Sequence, residues 1–332
     1  MDSLTIKQYG VFPTPIEIFV NYIYKNIEDK IKDYVFVDMF CGSGNLILPI
    51  LEHIEKEKRV EYFKERIFMF DVLDEEVEKA IKNAMNYGIP EDVAKENIKV
   101  RDTIKNYPVE LLYKYKDKLF HITNPPYLST HVIGRSKFKN MLEYFKGENS
   151  KFTDMYQIAL HNDVKNGIEN MIYIIPSNFI FATTSVANIR NEVMKNYDIK
   201  NAILFEKRIF EFTGTNVGIF YFVKTKEEKD VKTFSAVKIG NGYEKKIEYN
   251  LLKKYGYIGG TEFYNFLEEN KPTQKYKIKF KLREREIEEN KGDNKVVLYY
   301  TNDRKFKEAQ VNDVLYKKLK NNIIYARIVD GG

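Results

Sequence analysis

The chain has 332 residues, with 54 Lys and Arg against 48 Asp and Glu and a net charge of +6. That length predicts about two domains, and so modest a charge says little about partners. One cysteine excludes internal disulfides and metal–cysteine clusters, and four scattered histidines give no metal-ligand pattern, so no metal is expected. No apolar run approaches the roughly 18 residues of a membrane span. Asp2, Lys7 and Gln8 interrupt any apolar N-terminal run, so neither a signal segment nor a membrane partner is expected, and a cytoplasmic location is.

In chain order, Ile16, Phe19, Val20, Ile23 and Ile27 share one face of a helix over 15–31. Thr14 is placed as its N-cap, with Pro15 at the first helical position. Tyr34 to Val37 is a β-branched and aromatic strand. The turn Asp38-Met39-Phe40-Cys41-Gly42-Ser43-Gly44-Asn45 follows, and Leu46 to Leu51 opens a helix. Strand, glycine turn and helix form a nucleotide-cradling unit. A dinucleotide fingerprint would put a third glycine where Ile47 stands, and no P-loop Gly-Lys-Ser/Thr is present, so a pyrophosphate or triphosphate ligand is disfavoured. A second strand, Ile67 to Phe70, ends in Asp71, where an acid can take both ribose hydroxyls of an adenosine. A third, Asn97 to Val100, ends in Asp102, which can accept an adenine amino group. Each acid equally fits a cap or a surface charge. Asp74, Glu75 and Glu76 read as caps at the start of the next helix, over 75–87.

Leu119 to Thr123 reads as a buried strand that Asn124-Pro125-Pro126-Tyr127 must end, because Asn-Pro and Pro-Pro break a sheet. An amide, two rigid carbonyls and an aromatic ring then stand at the carboxyl end of a strand, where open α/β sheets bind ligands. That set suits methyl transfer to a planar exocyclic amine. Such an amine is a poor nucleophile, because its lone pair is delocalised into the ring. If the Asn124 side-chain oxygen and the Pro125 carbonyl both accept its N–H bonds, the nitrogen is drawn toward tetrahedral geometry. The prolines fix the acceptor, which is electrostatic preorganisation, and the Tyr127 ring can stack on the base. Its hydroxyl is given no part, so Tyr127→Phe is expected to be nearly silent. The competing reading is a strand-ending turn.

This order of parts resembles the S-adenosylmethionine-dependent methyltransferases of restriction-modification systems that modify adenine N6 in DNA. Asp38 to Asn45 matches their cofactor motif, with Asp-Met-Phe-Cys where Asp-Pro-Ala-Cys is commoner. Asp71 matches the ribose-binding acid, Asp102 the adenine-binding acid, and Asn124 to Tyr127 the catalytic tetrapeptide. Gly10 to Pro15 resembles the motif that closes over the methionine end, with Thr14 at its carboxylate. Phe212 to Phe220 resembles the hairpin whose leading aromatic packs on the extruded base. The order is that of the gamma class, and the likeness covers about residues 8 to 225. It implies a class I, Rossmann-like, doubly wound α/β sheet with a C-terminal target recognition domain. It also implies S-adenosyl-L-methionine as cofactor, held by Thr14, Asp38, Cys41, Gly42, Gly44, Asp71 and Asp102. Catalysis falls to Asn124, Pro125, Pro126 and Tyr127, with Phe212 against the base. The partners implied are double-stranded DNA and a separately encoded restriction endonuclease.

The polar stretch from Leu128 to Thr153 carries His131, Arg135, Lys137, Lys139 and Lys146 and reads as a DNA-contacting loop. Domains are expected at 1–227 and 228–332, joined by a Lys-Glu linker at 224–230. In the second, Lys275, Lys277, Lys279 and Lys281 alternate with apolar residues. They form a basic strand face that either tracks phosphates or guards a sheet edge. The end from Ile323 to Gly332 reads as a strand stopping at a turn, so the chain is expected to be a fragment or to be completed by a second subunit. Two alternatives stand beside DNA methylation: the same transfer to RNA or a protein glutamine, and a non-catalytic DNA-recognition subunit.

Overall fold

The computed structural model describes residues 13–115, 118–207, 209–210, 216–271, 284–300 and 306–320. Phe212, Lys275, Lys277, Lys279, Lys281, the motif residues before Pro13 and the expected terminal strand lie outside the described residues.

The chain divides into two compact units, Met1–Phe266 and Leu267–Gly332. The first is built on a nine-stranded sheet of order β3-β2-β1-β4-β5-β7-β6-β8-β9. Its strands are β1 Val35–Asp38, β2 Ile67–Asp71, β3 Ile98–Val100, β4 Leu119–Thr123, β5 Asn170–Pro176, β6 Tyr197–Phe205, β7 Val217–Lys224, β8 Val231–Ile239 and β9 Glu244–Leu252. β3, β2, β1, β4 and β5 are mutually parallel, and β7 enters antiparallel between β5 and β6.

The apolar runs fall in the centre because both faces there are covered. Every residue of β1, β4 and β5 is buried. Alternate side chains enter opposite layers, Val35, Val37, Met171 and Tyr173 on one face and Phe36, Phe120, Ile122 and Ile172 on the other. The helices α1 Arg59–Arg66, α2 Asp74–Asn86 and α3 Glu91–Asn97 bring Phe63, Val77 and Val93 to the second layer. Two further helices, α4 Met155–Asn166 and α5 Ala187–Asn196, bring Ile158 and Ile189 to the first. The result is the doubly wound α/β sheet expected. Its connections reverse direction between β1 and β4, so the carboxyl ends of those strands frame a crevice.

Three segments differ from expectation. β8 and β9 continue the sheet, so the boundary expected after residue 227 falls between two of its strands, and the compact unit runs on to Phe266. The helix expected after the glycine turn is a 3₁₀ segment, Leu48–His53, with Pro49 in its first turn. The stretch from Leu128 to Thr153 is folded, with a helix at Thr130–Arg135 and 3₁₀ turns at Lys139–Phe145 and Gly147–Lys151. Its Ile133, Met141, Phe145 and Phe152 are buried in the first layer.

The second unit is described as a helix at Glu284–Glu289, an antiparallel hairpin of β10 Lys291–Tyr300 and β11 Phe306–Val311, and a helix at Asp313–Lys320.

Candidate active site

The turn after β1 is held from below by a buried polar chain. Asp38 is fully buried, and its Oδ1 accepts from the Phe40 amide (3.0 Å) and the Thr123 hydroxyl (2.7 Å). That ties the end of β1 to the end of β4. Burial pushes the Asp38 carboxyl up to about 6, with the Thr123 hydrogen bond among the effects that oppose it. The Met39 amide donates to His121 Nε2 (3.2 Å), so the His121 proton sits on Nδ1 and points at Asp163 Oδ2 (2.5 Å). Asp163 also accepts from the hydroxyls of Tyr107 (2.8 Å) and Tyr173 (2.6 Å).

The glycine turn itself is pinned from β2. The Cys41 amide donates to the Phe70 carbonyl (2.8 Å) and the Gly42 amide to Asp71 Oδ2 (2.9 Å), while Asp71 Oδ1 accepts from Leu73 N (3.0 Å). Gly42 (φ +50°) and Gly44 (φ +87°) are left-handed, for different reasons. A Cβ on Gly44 would lie 2.7 Å from Leu48 Cδ1, so that position is closed by packing. Among the described residues, a Cβ on Gly42 would come within 4 Å only of Glu76 Oε2, at 3.7 Å, and Gly42 lines a cavity.

Two cavities meet here, and Phe40 and Asn124 line both. One is bounded by Asp71, Val72, Asp102, Pro126, Met141 and Tyr144. The other is bounded by Thr14, Cys41, Gly42, Ser43, Asn45 and Glu76. Asp102 keeps one oxygen on the Lys105 amide (3.2 Å) and the other on the Tyr144 hydroxyl (2.7 Å). Tyr144 belongs to the stretch read as a DNA-contacting loop, and that stretch walls the cavity instead. The Met141 and Tyr144 spacing of three, one helical turn, was the available signal.

Asn124 is half-buried at the joint between the cavities. Its Nδ2 donates to the Thr14 hydroxyl (2.9 Å), and Thr14 O accepts from Asn45 Nδ2 (2.8 Å). Thr14 therefore does not cap its helix: Pro15 takes the N-cap position with no side-chain cap bond, and the Thr14 hydroxyl serves Asn124. Tyr127 is the larger departure. Its hydroxyl reaches both Asn124 Oδ1 and the Ile174 carbonyl (2.7 Å). Burial, and then the charge of Asp154, hold its pKa well above the ordinary value, so the hydroxyl stays a donor. Asp154 accepts from Leu128 N (3.0 Å), and burial pushes its carboxyl up to about 7. The structure thus brings Thr14, Cys41, Gly42, Asp71, Asp102, Asn124 and Pro126 to the walls of the two cavities, while Tyr127 is bonded to Asn124 and, like the buried Pro125, lines neither. It places Asp38 beneath the turn and Gly44 against Leu48.

The sheet order and the crevice at the carboxyl ends of β1 and β4 define a class I methyltransferase fold. The chain belongs to the N-6 DNA methylase family, whose model matches residues 3–308. None of the curated proteins compared matches it. Among solved structures, it is similar to a modification subunit assigned to a type I restriction enzyme from Vibrio vulnificus YJ016. There the TM-score is 0.51 at 17% identity, over 91% of this chain and 59% of that one. It is also similar to DrdV bound to DNA, with TM-score 0.54 at 14% identity over 76% and 32% of the two chains. A third is a nuclease-deletion mutant of the Type ISP restriction-modification enzyme LlaGI with a DNA substrate mimic, at TM-score 0.54 and 12% identity over 75% and 27%. At such identities the likeness is one of fold, and the chain spans 59% of the first of these proteins and a third or less of the others. No helix among the described residues is long and apolar enough to cross a membrane.

Proposed function

We propose that this chain transfers the methyl group of S-adenosylmethionine to adenine N6 of a specific sequence in duplex DNA, as the modification activity of a restriction-modification system whose endonuclease is a separate protein. The observation that carries this reading is the position of Asn124, which lines both cavities and is bonded to Thr14. The residues fit an adenosine-linked amino acid. Asp71 and Asp102 stand along one cavity for the ribose and the adenine, and Thr14 along the other for the methionine end. S-adenosylmethionine would supply an electrophilic methyl group at the junction.

The target amine lies inside the base stack, so the base must leave the duplex to reach Asn124. Asn124 Oδ1 and the Pro125 carbonyl accept the two amine N–H bonds, which makes the nitrogen lone pair available. A carbonyl oxygen has two lone pairs, and the Tyr127 hydroxyl has one proton and two acceptors in reach. The hydroxyl can share Oδ1 with the amine or turn wholly to Ile174 O. Tyr127 and Phe212 hold the base by stacking. The chain beyond Phe266 provides recognition, with Lys275, Lys277, Lys279 and Lys281 toward phosphates. The test is transfer of labelled methyl from S-adenosylmethionine to DNA, RNA and protein offered separately. Label confined to adenine in DNA is the expected result, and label in RNA or protein would replace this substrate with another.

A further inference from the structure

Glu76 is the carboxylate in this crevice to which neither the motifs nor the proposed reaction give a part. It lies in the first turn of α2, where a cap is the ordinary reading, yet it is buried to 6% exposure and lines the cavity under the glycine turn. A capping or surface acid has no need of that position, and burying a carboxylate is unfavourable unless something compensates it. Lys79 Nζ donates to Oε1 at 2.6 Å from a half-exposed side chain. The other oxygen, Oε2, stands 3.7 Å from where a Gly42 Cβ would be, on the open face of the turn. Asp71, on the wall of the adjoining cavity, accepts from the amide of the same glycine. Two carboxylates thus converge on Gly42, where, among the described residues, the missing side chain leaves room for a ligand.

A vicinal diol is the group that offers two O–H donors to two such acceptors. Resting on the cofactor reading above, we infer that Glu76 is a further cofactor-binding residue and shares the ribose diol with Asp71, each carboxylate accepting from one hydroxyl. The rival is the α-ammonium of the methionine end, since Thr14 lines the same cavity. Two ligands separate them. S-adenosylhomocysteine carries diol and ammonium, and 5′-methylthioadenosine keeps the diol and lacks the amino acid.

Calorimetric titration of the full chain with each ligand is the test. Glu76→Gln should weaken both by a similar factor, about tenfold, the usual loss for a hydrogen bond to a charged group. Glu76→Asp, which retracts the carboxylate but keeps its charge, should show the same parallel loss and serves if the Gln variant does not fold. Lys79→Met should leave both affinities within about twofold, because the lysine stands outside the cavity. A loss confined to S-adenosylhomocysteine would reassign Glu76 to the ammonium and overturn the inference. Unchanged affinity for both ligands would overturn it as well, leaving Glu76 as the partner of Lys79. Wild-type chain that binds neither ligand would remove the cofactor reading, and this inference with it.

Discussion

The Tyr127 hydroxyl marks where the residue-level expectation changes. With the hydroxyl against Asn124 Oδ1, Tyr127→Phe removes one of the groups that orient the catalytic amide, the Thr14 hydroxyl being another. Turnover should fall by the equivalent of about 1 kcal/mol, the usual net worth of one hydrogen bond, with cofactor affinity unchanged. Tyr127→Ala should fall further, because stacking worth about 1–3 kcal/mol goes too. Single-turnover rates with saturating DNA measure both, and a wild-type rate for the Phe variant would return the hydroxyl to a bystander. Asp71→Ala should weaken S-adenosylmethionine by about 1–3 kcal/mol. Part of that loss would come through the Gly42 amide that Asp71 holds, and titration of the variant against wild type reads it.

At the scale of elements, the glycine turn separates folding from binding. Gly44→Ala puts a side chain in a left-handed position and against Leu48, so it should cost about 1–3 kcal/mol of stability. Gly42→Val is strained too, but its side chain enters the cavity, so the larger effect should be on cofactor affinity. Urea unfolding and titration of the two variants should give opposite orders of severity. The turn was legible in the sequence because a strand, two glycines and an acid at the next strand end are local and periodic signals. So were β1 and β2, whose apolar runs end at an acid, and β4, whose run ends at the Asn-Pro-Pro break. The stretch from Leu128 to Thr153 was not, since its buried Ile133, Met141, Phe145 and Phe152, although at helical spacings, are sparse among lysines and other polar residues. Nor was the role of Thr14, because its partner is 110 residues away. β8 went unread beyond the Lys-Glu stretch although its burial alternates, because the buried position at Lys232 is a lysine. That lysine is satisfied by Asp198 at 2.6 Å and the Tyr197 carbonyl at 3.1 Å.

For the whole molecule, two buried acids link stability to pH. Asp38 at about 6 and Asp154 at about 7 are both raised by burial from an ordinary 3.8. The folded chain keeps these protons where the unfolded chain has released them, so their contribution to stability is present in acid and lost as pH rises through about 4 to 7. Over that window the wild type should lose stability relative to Asp154→Asn, and paired urea titrations at several pH values check it. Recognition belongs to this scale as well. Replacing Lys275, Lys277, Lys279 and Lys281 with Gln should weaken DNA binding at every sequence and flatten its salt dependence, by about 0.9 in log–log slope for each phosphate no longer neutralised. Lost sequence preference with an unchanged slope would mean that these lysines read bases. The most direct measurement of all is labelled methyl transfer to duplex DNA by the wild type and by Asn124→Ala, with the modified base identified. The wild type should produce N6-methyladenine, and the variant should lose it by a factor equivalent to about 2–4 kcal/mol in the barrier. Wild-type activity in Asn124→Ala, or a methyl group on any other acceptor, would contradict the proposed chemistry.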